Sequence, residues 1–163
     1  IACRCLPKMN VRAPRKPFAN RIVMCGDAGS TRLFKDGLGA AYLMGKAAAK
    51  TAIFDGTGNE QFQKNYYPVY KSIIHDNYFG SFLYTVIDVY RSVSLMTRAM
   101  LKVVKKEQAS KEKGKILSSI LWDMFTGNAR YKNVFFRSLK VRMHLDMLEG
   151  VLKSLGGRNH ERW

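Results

Sequence analysis

The chain has 163 residues, 47% of them hydrophobic and 12% aromatic, which suits a folded core of ordinary size and excludes a disordered tail. It carries 28 Lys+Arg against 12 Asp+Glu, a formal net charge of +16, which favours anionic partners and leaves the fold open. Three cysteines, Cys3, Cys5 and Cys25, form no disulfide framework and point to a reducing compartment. No run reaches the length of a membrane-spanning helix.

In chain order, residues 1–20 read as an extended lead-in broken by Pro7, Pro14 and Pro17, too basic and interrupted for a signal peptide. A start at Ile1 with Cys-x-Cys close behind is the start expected of an internal piece of a longer protein. Residues 21–25 form an apolar run between Asn20 and Gly26 and predict a short buried strand. Residues 26–37, rich in Gly, Ser, Thr and Asp, predict a loop, and the alanine-rich 38–54 a closely packed helix stopped by Asp55-Gly-Thr-Gly58.

Thr57 and Glu60 have capping-box spacing, so a second helix is expected to start there and to end at Pro68. Residues 69–106 carry Ile73, Phe79, Leu83, Ile87, Tyr90 and Met96 at helical intervals, with Gly80 the expected bend. A charged linker or solvated helix end follows at 105–115. A helix is predicted over 116–125, ended by Thr126-Gly-Asn128, and a last one over 134–155, with Leu145, Leu148, Leu152 and Leu155 inward and Gly156-Gly157 as its cap. The expected fold class is mainly α, a short strand region near the N-terminus followed by a helical body.

The chemistry concentrates at 26–45. A strand ending in Gly26-Asp27 offers the Asp27 carboxylate, an acceptor-only group, to ligand hydroxyls such as those of a sugar or polyol. Gly37 and Gly39 allow a flat ligand to approach the backbone. The first helical turn, Gly37, Leu38, Gly39 and Ala40, directs N–H groups and the positive end of the helix dipole at it. A polyol at Asp27 and an electron-rich planar ring at 37–40 together describe a flavin.

The stretch RIVMCGDAGSTRLFKDGLGAAYLMGKAAA resembles the second flavin-binding motif of the FAD-dependent oxidoreductases related to para-hydroxybenzoate hydroxylase and geranylgeranyl reductase. Gly26-Asp27-Ala28 and Gly37-Leu38-Gly39 fall at that family's spacing. The resemblance implies that Asp27 contacts the ribityl chain of FAD and that the amides near Gly37, Leu38, Gly39 and Ala40 face the pyrimidine edge of the ring. It makes 1–56 the strand, Gly-Asp loop and helix of a split FAD-binding domain, and 57–163 a helical C-terminal region. Phe34 stands where the family usually has a loop proline. The family's Gly-x-Gly-x-x-Gly unit for the ADP half is not in this sequence. The expectation is therefore the C-terminal part of a cytoplasmic flavoprotein, with the remainder of that protein as partner, inactive alone and prone to self-association.

The competing reading is a basic helical module without catalysis. An anionic membrane would be met by the amphipathic 72–104 stretch, which implies a peripheral location; nucleic acid would be met by clusters such as Arg130, Tyr131, Lys132, Phe135, Phe136 and Arg137, although no nucleic-acid-binding motif accompanies them. Other patterns are set aside. Gly39 to Gly45-Lys46 is one residue too long for a phosphate loop and puts Ala47 at the Mg-binding position. Cys3-x-Cys5 has no second ligand pair to complete a metal site. His75 and Asp76, adjacent on a helix, do not face one another, and no catalytic triad or carboxylate pair can be assembled.

Overall fold

The computed structural model describes residues 13–30, 37–110 and 114–156. Expectations for Cys3, Cys5, Phe34 and Gly157 lie outside the described residues. The chain is mainly α, as the sequence predicts, with one two-stranded ribbon. It divides into two compact units, Ile1–His75 and Asp76–Trp163.

In the first unit, β1 (Phe18–Ala19) pairs antiparallel with β2 (Ile22–Val23), Phe18 opposite Val23 and Ala19 opposite Ile22. The turn is the two residues Asn20-Arg21, and Arg21 takes φ 62°, the left-handed conformation short hairpin loops require. The strand is therefore not the buried one expected over 21–25. Side chains alternate across a ribbon, so Phe18 and Val23 turn inward while Ile22 is 63% exposed.

The helix α1 (Gly37–Phe54) buries Ala40, Met44, Ala48 and Thr51, a stripe of mostly small residues that brings other elements close. It ends where the Asp55 and Gly56 amides both donate to the Thr51 carbonyl, with Gly56 at φ 107°. The next helix starts at α2 (Asn59–Gln61), after Gly58, with no side-chain cap; the capping box expected at Thr57 does not form. Nor does Pro68 end it. Residues Phe62–Tyr66 make a π turn that runs straight into α3 (Tyr67–Ser92). Proline lacks an N–H and its ring crowds the carbonyl four residues back; a widened turn just before it relieves that clash. Phe62, Tyr66, Tyr70 and Ile73 then fall together against Phe18, Ala40 and Met44 to form the unit's core.

In the second unit the interruption expected at Gly80 comes at Val93, which is extended (φ −106°, ψ 106°) between α3 and α4 (Ser94–Ala109). Gly80 stays inside α3 and is buried. The Thr97 hydroxyl donates to the Tyr90 carbonyl at 3.1 Å, pairing a group the break would leave open. The helix α5 (Ile116–Thr126) ends at left-handed Gly127, as expected. The single helix predicted over 134–155 is two, α6 (Tyr131–Ser138) and α7 (Val141–Gly156), because Leu139 and Lys140 tighten into a three-residue turn.

The leucines of α7 do not point inward. Leu145, Leu148, Leu152 and Leu155 are exposed, whereas Met147, Gly150 and Ser154 are buried against α4. Gly150 decides the orientation: a Cβ there would meet the Ala99 carbonyl oxygen at 3.0 Å and Val103 Cγ2 at 3.1 Å. Helix backbones this close bury more contact than four leucines on a more distant axis. Lys106 then bridges to Asp146 (3.5 Å) and Glu149 (2.6 Å) of α7, and Lys153 reaches Glu149 at 2.5 Å. The hydrogen bonds from Lys106 and Lys153 hold the Glu149 carboxyl at about 2.

Replacing Gly150 by Leu is expected to lower the stability of the unit. Helix propensity favours the change by about 1 kcal/mol, but the added bulk meets backbone, and overpacking of this kind costs about 1–3 kcal/mol. A urea midpoint equal to or above that of the wild type would show that α4 and α7 do not approach through Gly150.

Candidate functional site

Gly26, Asp27 and Ala28 form a single 3-10 turn directly after the ribbon. Gly26 has φ 63°, which a side chain would strain, and its Cβ position lies 3.5 Å from Ala41 Cβ. The turn is thus seated on the first turns of α1. The Gly29 and Ser30 amides both donate to the Gly26 carbonyl at 2.9 Å, closing the loop on itself. At Gly29 a Cβ would stand 2.7 Å from the Met24 carbonyl oxygen, so no other residue fits without a backbone shift.

The sequence-predicted residues are brought together, with one difference among them. Asp27 is exposed, Gly37 and Gly39 are partly accessible, and Leu38 is 89% exposed at the helix start. Ala40 is fully buried in the core beneath them. Beside the turn, the buried Ser30 hydroxyl has no hydrogen-bond partner among the described residues. An exposed carboxylate and a helix start make a surface suited to a polyhydroxyl ligand with a planar or anionic end.

What holds the turn was not visible as a site in the sequence. The Tyr66 hydroxyl donates to the Met24 carbonyl at 2.5 Å, and Tyr70 donates to the Pro14 carbonyl at 2.5 Å. Both rings are buried and stacked, with centroids 6.2 Å apart. The four-residue spacing of Phe62, Tyr66 and Tyr70 was the available signal. Cys25 lies partly buried against Tyr66, and burial pushes its thiol up, which makes it a packing residue rather than a nucleophile.

Three carboxylates of the second unit are committed to structure. Asp76 accepts from the Tyr131 and Lys132 amides at 3.0 and 2.9 Å, capping α6. Glu107 accepts from the Leu117 and Ser118 amides at 2.9 and 2.7 Å, capping α5 from the end of α4. It is therefore not part of a solvated linker. Asp123 is buried, paired with Arg137 and with Asn128 at 3.2 Å. No group of three metal-ligating side chains exists among the described residues, and no described helix is long and apolar enough to cross a membrane.

No family model, curated protein or solved structure matches this chain.

Two outcomes follow for the tyrosine clamp. Burial raises the Tyr70 phenol to about 12 and the Tyr66 phenol further. Unfolded phenols ionise near 10, so above that pH the unfolded state loses protons that the folded state keeps. Stability is complete below pH 10 and falls as pH climbs towards 12; alkaline titration of unfolding by circular dichroism checks this. Tyr66→Phe leaves the Met24 carbonyl without its partner and is expected to cost about 1–3 kcal/mol, with the alkaline slope reduced. An unchanged slope would mean that Tyr66 ionises freely.

Proposed function

We propose that this chain contributes the ribityl and isoalloxazine side of an FAD site in an FAD-dependent oxidoreductase, the rest of the site coming from the remainder of the parent protein. The observation that supports it is the seating of the Gly26–Ala28 turn on the start of α1, which gathers an exposed carboxylate and a glycine-rich helix start at one surface. The sequence resemblance carries the choice of flavin over other polyhydroxyl ligands.

In this reading Asp27, an exposed acceptor-only carboxylate, accepts hydrogen bonds from the ribityl hydroxyls. Gly37, Leu38 and Gly39 present the first turn of α1 to the pyrimidine edge, where the helix dipole favours negative charge. Ala40 sits below that contact and supports it through packing. Flavin, when bound, supplies hydride and electron transfer; the chain supplies orientation and electrostatics.

The test is made on the chain joined to its native flanking sequence. The purified protein is expected to be yellow and to hold FAD in stoichiometric amount. Asp27→Ala is expected to weaken FAD retention by about 10- to 100-fold, the worth of hydrogen bonds to a charged acceptor. A protein that stays colourless after incubation with FAD overturns the reading.

A further inference from the structure

The helix α7 has two apolar faces, and only one of them is used. Met147, Gly150 and Ser154 pack on α4. On the opposite side Val141, Leu145, Leu148, Leu152 and Leu155 recur at intervals of four and three residues, and they are 71%, 60%, 60%, 61% and 53% exposed. Five aliphatic side chains in one continuous line, each more than half in water, is more than the scattered exposure normal for a soluble surface.

Charge narrows what covers them. Residues 76–163 contain 16 Lys+Arg against 8 Asp+Glu. The two acids of α7, Asp146 and Glu149, are drawn to Lys106 on the α4 side, and Glu149 also to Lys153. Exposed Lys140 flanks the start of the line, and His144 is exposed within its first turn, whereas the Arg142 guanidinium turns towards Gly114. A second copy of the chain would bring like charges together. The line also spans only two heptads, short of the three or four that sustain a coiled coil. An anionic bilayer meets both features at once, because it accepts an aliphatic stripe at acyl depth and basic residues at the headgroups.

We propose that α7 docks on an anionic membrane surface, lying in the plane of the interface with Val141, Leu145, Leu148, Leu152 and Leu155 among the acyl chains and Lys140 at the lipid phosphates. This goes beyond the flavin reading and does not depend on it. It also moves the membrane contact from the 72–104 stretch, where the sequence pattern put it, to a helix of the C-terminal part.

Sedimentation of the full chain with vesicles tests it, without reference to flavin. The chain is expected to co-sediment with mixed phosphatidylcholine and phosphatidylserine vesicles, less with phosphatidylcholine alone. The double substitution Leu148→Glu, Leu152→Glu is expected to weaken binding by at least about tenfold, whereas Ile53→Glu, at an exposed site on α1, leaves it unchanged. Leu148→Trp, a change a water-exposed position tolerates, is expected to shift its emission to the blue on adding mixed vesicles. Equal binding by the glutamate pair and the wild type, or no shift at Trp in position 148, overturns the proposal. So does a wild-type dimer in light scattering that the glutamate pair makes monomeric while neither form binds vesicles, which would assign the stripe to a second copy.

Discussion

Two phenol hydroxyls on one helical segment grip the N-terminal chain. Tyr66 takes the Met24 carbonyl and Tyr70 the Pro14 carbonyl, from rings buried to exclusion of water. A ribbon with two residues in each strand has almost no stability of its own. It is ordered because these hydrogen bonds, made in a dry environment, tie both of its ends to the α2–α3 segment. The Gly26–Ala28 turn follows Met24 by one residue, so its place on α1 depends on the same grip. The candidate site is thus positioned by aromatic residues some forty positions away in sequence, none of which faces the ligand surface.

The second unit solves a different problem, that of short helices separated by tight breaks. A helix start leaves amides unpaired, and here the acceptors come from other helices: Asp76 of α3 for α6, and Glu107 of α4 for α5. Each cap fixes both the end of one helix and its angle to the next. The close approach of α4 and α7 through Gly150 follows the same economy, with contact made by backbone and small side chains.

How much of this was legible depended on whether the signal was local. Helix content and the glycine stop after α5 were written in neighbouring residues and stand as read. The errors came where tertiary contact outweighed pattern. The leucine periodicity of α7 is real, but a glycine on the opposite face offered a closer approach, so the more hydrophobic side was left outside. Pro68 reads as a stop by its chemistry, yet a π turn absorbs it. Gly80 reads as a bend, yet it is held straight in a buried stretch of α3, and the break falls on β-branched Val93 instead. The tyrosine clamp and the interhelical caps join residues about 10 to 56 positions apart, beyond the reach of any periodicity. Asp27 and Gly37–Gly39 could be singled out together because they lie about ten residues apart in the sequence.

The π turn at Phe62–Tyr66 has a further consequence. Such a turn is an α-helix that has accepted one additional residue without changing direction. Deleting a single residue there would restore regular α geometry and turn everything from Tyr67 onward by about 100° about the helix axis. Tyr70 would then leave the Pro14 carbonyl, while Phe62 stayed where it is. The register of the clamp, and with it the seat of the Gly-Asp turn, therefore depends on the extra residue that the π turn holds.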